Sequence, residues 1–472
     1  MKRKKMLLMG GILVVVLALG MPVLNLFIAL PPTAAFQAIP PGTPVMEQAR
    51  AAIGKKCLMC HTQNPSLPYY AKFPIASSLI KGDITRGAAM FDFVPFFEKQ
   101  GANEVLLAKL EQSIKLKTMP LANFKLMHWN GALSGSEETA VLAWIKDVRA
   151  KDFSTGLAAQ AYANDSVQPL PNHVAETLSP DKVSLGDKLY RDKRLSGDDT
   201  LSCSGCHDLA KGGTDRSQFS EGVRQQLGNI NAPTTLNAAY AFMQFWDGRA
   251  KDLQDQAAGP PLNPIEMDTT WEQVIGKFSA DPNMTSLYQK IYGDMAWSSD
   301  NITDAIAEFE KTLLTPNSPL DLYLKGDASA LSENAKEGYA LFNAHSCSTC
   351  HTGKIMGGQS FERPVDPGTY FAARGKKPGE ADWGRFNVTK KESDRYKQKV
   401  PTLRNIALTF PYMHDGFTSD LKEVVRWMHG YWVPKLNQKH LSDNDIDKII
   451  EMLQSNTGTL NGEPLVSGGG NI

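Results

Sequence analysis

Apolar side chains recur along much of this chain at the spacing of one helix face. Ile302, Ala305, Ile306, Phe309 and Leu313 form one such stripe, and Ile446, Ile449, Ile450 and Leu453 another. Ser134-x-x-Glu137 and Ser442-x-x-Asp445 stand where the N-terminal caps of two helices belong. Strand-like alternation is sparse, so the expected fold is mostly α. One apolar stretch is not amphipathic: Met6 to Leu30 carries no charge and follows the basic tip Lys2-Arg-Lys-Lys5. A run of that length spans a bilayer, and the basic tip keeps its own end in the cytoplasm. The alternative is a cleaved export signal, for which Thr33 to Ala38 offers small residues. Either way the bulk of the chain lies outside the inner membrane, in the periplasm of a Gram-negative source.

Composition narrows the partners. Lys plus Arg equals Asp plus Glu at 50 each among 472 residues, which gives nucleic acid no electrostatic foothold. All six cysteines fall in three CxxCH segments: Cys57-Leu-Met-Cys60-His61, Cys203-Ser-Gly-Cys206-His207 and Cys347-Ser-Thr-Cys350-His351. Two thiols on one turn add to the vinyl groups of haem, and the next residue, His, lies under the iron. The plainer readings are a redox CxxC that happens to precede His, or half a zinc site. Three matches that consume every cysteine favour three covalently bound c-type haems.

The spacing of the motifs predicts three haem modules behind a transmembrane helix. The expected boundaries are 1–30 for the tip and anchor, 40–150, 175–328 and 329–456 for the modules, and 457–472 for a flexible tail. Residues 151–179 read as a linker. Gly186-Asp-Lys-Leu-Tyr190 and Gly338-Tyr-Ala-Leu-Phe342 form a weak repeat upstream of the second and third motifs, expected to pack Gly and apolar positions on haem.

A haem with two strong axial ligands carries electrons, whereas an open one binds peroxide. Met428 lies 14 residues before Ser442 and Met119 lies 15 before Ser134, a matched spacing that marks both as sixth ligands, of the His351 and His61 haems. Met127 and His128 compete with Met119. No histidine lies between His207 and His345, and that stretch offers Gln256 and Glu266 in a Gly- and Pro-rich setting. A carboxylate beside an open iron can move the peroxide proton while an amide holds the substrate. Taken singly, Glu266 reads more readily as a solvated surface acid than as a catalytic one.

From about Leu185 to Leu453 the chain resembles the bacterial di-haem cytochrome c peroxidases. The resemblance rests on Arg194 to His207, Asn231-Ala-Pro-Thr-Thr-Leu-Asn237, Gln244-Phe-Trp-Asp-Gly-Arg249, Asn263-Pro-Ile-Glu-Met267, Leu314 to Pro319, Pro401 to Leu408 and Pro411-Tyr-Met-His-Asp-Gly416. It implies that His207 holds the peroxidatic haem, Glu266 is the acid–base residue, Gln256 assists, and Trp246 lies on the electron route. It further implies His351 and Met428 at the high-potential haem, and calcium at Asn231, Thr409 and Pro411. Many members keep a capping His in the loop after the peroxidatic motif, and the matching position here is about Val223. The second haem is therefore expected to be accessible without reductive activation.

The additional N-terminal module resembles the membrane-anchored quinol peroxidase branch. That implies a membrane quinol as donor, with a small cytochrome c as the alternative and hydrogen peroxide as substrate. Phe91 to Phe97 and Pro68-Tyr-Tyr70 are candidate quinone-lining segments, with aromatic core as the plainer reading. Two rival functions stand: a pure electron-transfer cytochrome, and an oxidase of protein side chains with Tyr431 in the place of Met428. Oligomeric state stays open.

Overall fold

The computed structural model describes residues 20, 22–27, 31–436 and 439–465. The chain divides into two compact units, Met1–Phe153 and Ser154–Ile472. Among the described residues no helix is long and apolar enough to cross a membrane, and most of the expected span from Met6 to Leu30 lies outside them. Helices dominate both units, and the paired strands among the described residues form two short antiparallel hairpin-like pairs.

In the first unit, helix α1 (Pro44–Lys56) starts on Thr43, whose side chain accepts from the Met46 amide, and runs directly into Cys57. Helix α2 (Gly135–Val148) opens on the expected capping box of Ser134 and Glu137. The two pack on each other through Ala49, Ile53, Val141 and Ile145, all fully buried. Phe93, Phe96 and Phe97 complete this core, and Phe97 stacks on Trp144 at 4.7 Å. The Phe91–Phe97 stretch is therefore structural, as its plainer reading had it.

The second unit repeats the plan twice. Helix α3 (Pro180–Arg191) crosses helix α5 (Ser299–Glu310), with the short helix α4 (Leu253–Ala257) against α5. Helix α6 (Glu333–Ala344) crosses helix α9 (Asp443–Gln454), which opens on the Ser442–Asp445 capping box. Both crossings pivot on glycine. A Cβ on Gly186 would lie 1.9 Å from the Ala305 carbonyl oxygen, and one on Gly338 would lie 2.0 Å from that of Lys448. The sequence repeat is thus real but differently caused: these glycines admit the backbone of the closing helix, not a haem face. Each of the three cores takes in the first cysteine of one motif, Cys57, Cys203 or Cys347.

Two expectations need correction. The stretch read as a linker is packed into the second unit: Val167 and Leu170 are fully buried, and Val167 bridges to Gly353. The Leu170 amide donates to Asp321 at 2.9 Å, and Asp321 pairs with Arg404 at 2.7 Å in complete burial. A buried ion pair needs every remaining polar valence filled, and the incoming chain fills several. The tail is not loose either. Strands β1 (Thr459–Leu460) and β2 (Glu463–Pro464) pair, and Leu460 and Leu465 pack on the core around α3 and α5. Residues 466–472 lie outside the described ones.

The crossing geometry makes a direct prediction. Gly186→Ala should destabilise the second unit by about 1–3 kcal/mol through overpacking. Gly276→Ala, with nothing within 4 Å of its new Cβ, should be neutral or slightly stabilising. Denaturant midpoints check this; equal midpoints for the two variants would contradict the crossing.

Candidate haem sites and active site

In all three CxxCH segments the backbone makes one turn, with the His amide donating to the first Cys carbonyl at 3.1 Å (His61), 2.9 Å (His207) and 3.0 Å (His351). That turn presents two thiols and one imidazole together. Each imidazole then places Nδ1 against a carbonyl: Phe91 at 3.0 Å, Gly213 at 3.3 Å and Met356 at 3.1 Å. An Nδ1–H so engaged leaves the Nε2 lone pair for a metal. Burial keeps the rings neutral, pushing His351 down to about 4 and lowering His61 and His207. Burial also pushes the thiols of Cys57, Cys203 and Cys347 up to about 12. Burial of this kind disfavours the acidified thiolate of a redox CxxC, and none of the six cysteines forms a disulfide. The residues fit covalently attached haem.

Met428 lies on helix α8 (Leu421–Leu436). Leu421 and Val425 of that helix pack against the core that contains Cys347, and Met428 continues the same stripe against Tyr412 and Met413. Met119 is 48% exposed, between helices. His128 is otherwise engaged: its Nε2 meets the Tyr70 hydroxyl at 2.5 Å and its Nδ1 the Phe124 carbonyl at 3.1 Å.

Around the second motif, Glu266 sits in the turn after α4. Burial raises its pKa, while the Asn263 amide, donating at 2.6 Å, and the Arg249 charge pull it part of the way back. Burial is the main cause that raises the Cys206 thiol, and the charges of Asp215 and Glu266 add to it. The loop 219–229 docks on the Glu266 turn. The Val223 amide donates to the Glu266 carbonyl at 2.8 Å, Gln226 Nε2 donates to the Pro264 carbonyl at 2.9 Å, and Arg224 pairs with Asp268. A Cβ on Gly222 would meet the Ile265 carbonyl at 2.1 Å. Arg224 and Gln225 both take positive φ, 55° and 59°, a strained pair held by these contacts. Val223 is buried. Gln256 is half-buried on α4.

Trp246 ties distant segments together. Its indole N–H donates to the Asn231 carbonyl at 2.8 Å, its carbonyl accepts from the Lys399 amide at 2.7 Å, and its ring meets His414 edge-on at 6.5 Å. Asn231 spends its side-chain amide on the Ser217 carbonyl at 2.9 Å and its backbone N–H on the His414 carbonyl at 2.8 Å. Asn231, Thr409 and Pro411 would offer oxygen donors only, the kind a hard cation such as calcium takes.

Sequence reading missed the buried cluster next to Trp246. Asp382 accepts from His414 at 2.8 Å and from Arg374 at 2.6 Å. Asp415 accepts from Arg374 at 2.7 Å and from Tyr370 at 2.5 Å. Arg374 bridges the two carboxylates and His414 and Tyr370 bond them further, while Asp382, His414 and Asp415 lie close enough to one another to share a metal ion. No local motif announces the cluster, because its members are far apart in sequence.

A turn with two thiols and a neutral, oriented imidazole defines a c-type haem protein, and the acid-bearing turn at the second motif sets it among those that act on a bound ligand. A family model described as di-haem cytochrome c peroxidase matches residues 180–329, and one described as a haem-binding domain matches residues 28–147. Cytochrome c peroxidase Ccp of Escherichia coli K12 is 43% identical over 412 residues, 86% of this chain and 86% of that protein. Cytochrome c551 peroxidase of Nitrosomonas europaea is 42% identical over 296 residues, 63% of this chain and 85% of that one. A solved MauG-like protein associated with microbial copper homeostasis matches with a TM-score of 0.53 at 26% identity, covering 60% of this chain and 92% of that chain. The chain belongs to the di-haem cytochrome c peroxidase family, and it is a haem-dependent peroxidase.

Glu310 on α5 yields a pH prediction. It is buried, and burial pushes its pKa from 4.5 up to about 8. A carboxyl whose folded pKa is raised contributes stability that is complete below its unfolded pKa and lost as pH rises through the folded one. Wild-type stability should therefore fall between about pH 4.5 and 8 relative to Glu310→Gln, by at most about 1.4 kcal/mol per pH unit. Unfolding midpoints across that range check it, and parallel curves for the two proteins would contradict it.

Proposed function

We propose that the chain is a membrane-anchored, periplasm-facing peroxidase with three c-type haems, which reduces hydrogen peroxide to two waters with two electrons and two protons. The observation behind this reading is Glu266: a half-buried carboxylate held by Asn263 near the second attachment turn, its backbone bonded to Val223, the position that the family resemblance matches to a capping imidazole. A haem held by Cys203, Cys206 and His207 supplies an iron that can bind peroxide and pass it electrons.

The protein supplies the proton traffic. Glu266 would act as the acid–base residue, accepting a proton from one peroxide oxygen and returning it to the other. Gln256 steadies the substrate with its amide, and Asn263 fixes the Glu266 oxygen that is not exchanging protons. His61 with Met119, and His351 with Met428, would hold two further haems, which would supply electron transfer. Trp246 links the segments around the second and third motifs, and Asn231, Thr409 and Pro411 hold calcium there.

Two features support a membrane quinol as donor: the apolar Met6–Leu30 run and the added haem-binding module of residues 28–147. A small cytochrome c is the second reading, since two relatives are named cytochrome c551 peroxidase. Comparing peroxide consumption with a reduced quinone analogue and with a reduced small cytochrome separates the two. Turnover with cytochrome alone would remove the quinol and leave the peroxidase.

Glu266→Gln should lower kcat roughly 10²–10⁴-fold with haem content unchanged. Undiminished turnover would favour a pure electron-transfer cytochrome. Because Glu266 must be ionised to accept a proton and its pKa is raised, kcat/KM should decline on the acid side at a pH above the ordinary carboxylate range.

A further inference from the structure

We propose that Asn25, Tyr70 and His128 form the head-group site at which quinol is oxidised beside the first haem, an assignment that rests on the quinol reading above. Asn25 is the one polar side chain in the Met6–Leu30 run, and it is buried, not splayed into solvent. Its amide donates to the Met127 carbonyl at 2.7 Å and hydrogen-bonds the Tyr70 side chain. Tyr70 meets His128 Nε2 at 2.5 Å. The Phe124 carbonyl accepts from Nδ1 at 3.1 Å, which fixes the tautomer with the lone pair on Nε2. The chain of groups thus runs in one direction, from a hydroxyl to a neutral imidazole base. Tyr70 and the Cys57–His61 attachment turn belong to the same compact unit, Met1–Phe153.

The surroundings match an amphipathic substrate. The three polar residues are flanked in sequence by apolar side chains that face outward: Phe27 at 83% exposure, Leu126 at 72% and Trp129 at 54%, together with Leu24 and Tyr69. Phe124 stacks on the His128 ring at 4.0 Å, and Tyr69 lies edge-on to Tyr70 at 5.5 Å. A polar centre with outward-facing apolar side chains suits a ring carrying two hydroxyls and a hydrocarbon tail. Phe91–Phe97, the other aromatic candidate, is buried core.

The chemistry balances. As a quinol hydroxyl gives its proton to Tyr70 Oη, the Tyr70 proton moves to His128 Nε2, and the accompanying electron is the one the attached haem takes up. His128, half-buried, releases the proton to water, and a second round leaves quinone. The two protons and two electrons lost equal those consumed when one peroxide becomes two waters.

The test uses the untagged holoenzyme in detergent, with stopped-flow reduction of the first haem by a water-soluble menaquinol analogue and by ascorbate. Tyr70→Phe and His128→Phe should slow the quinol reaction about 10²-fold and leave the ascorbate reaction unchanged. Isothermal titration with the oxidised quinone analogue gives a readout independent of turnover: Asn25→Leu and Tyr70→Phe should weaken binding about tenfold, roughly one lost hydrogen bond to a buried group. If wild type is reduced by quinol but the variants match it in rate and affinity, the site assignment is overturned and the quinol donor survives. If wild type reacts with ascorbate and not with quinol, both fall.

Discussion

Each CxxCH histidine commits its Nδ1–H to a backbone carbonyl, and the rest of the architecture serves that orientation. A ring free to rotate would present either nitrogen; a ring tied at Nδ1 presents Nε2 alone. The tie holds only if the carbonyl is itself fixed, and the carbonyls of Phe91, Gly213 and Met356 belong to loops pinned against packed cores. Those cores depend on helices in close contact. In the second unit the approach is so tight that Gly186 and Gly338 have backbone oxygens where a side chain would start. The same plan, a helix leading into the motif and a closing helix across it, appears with α1 and α2, α3 and α5, and α6 and α9.

Against this common frame the second motif is set apart by where burial and charge fall. Glu266 is desolvated yet not neutralised, because Asn263 and Arg249 stabilise the charge that burial opposes. A carboxylate so balanced exchanges protons more readily than one fully paired, such as Asp382, whose partners His414 and Arg374 hold it far below the ordinary range. The strained Arg224–Gln225 pair rides on the Glu266 turn through several hydrogen bonds. Strain of this kind persists where surrounding contacts over-determine it, and here those contacts also position the acid.

Helix periodicity and the Ser134 and Ser442 caps were legible in the sequence because they are local: a cap and its partner lie three residues apart. The six thiols and three histidines were legible for the same reason. The Gly186 and Gly338 repeat was visible too, but its cause was not, since the partner carbonyls lie on helices more than a hundred residues away. Residues 151–179 lack periodicity because they bind by extended backbone, through Val167 to Gly353 and Leu170 to Asp321, which leaves no helical pattern to read. The Asp382, His414, Arg374, Asp415 and Tyr370 cluster was illegible altogether, and of the Asn25–Tyr70–His128 chain the sequence offered Tyr70 and His128 only as separate candidates, because their contacts are made by the fold.

The central claim is that the haem on His207 is left open by the loop that offers Val223 over the Glu266 turn. Low-temperature electron paramagnetic resonance of the fully oxidised holoprotein, before and after one equivalent of peroxide, tests it most directly. The account predicts a high-spin ferric signal from that haem which peroxide consumes with no prior reduction. A low-spin signal with a second nitrogenous ligand, unreactive until the protein is partly reduced, would contradict it.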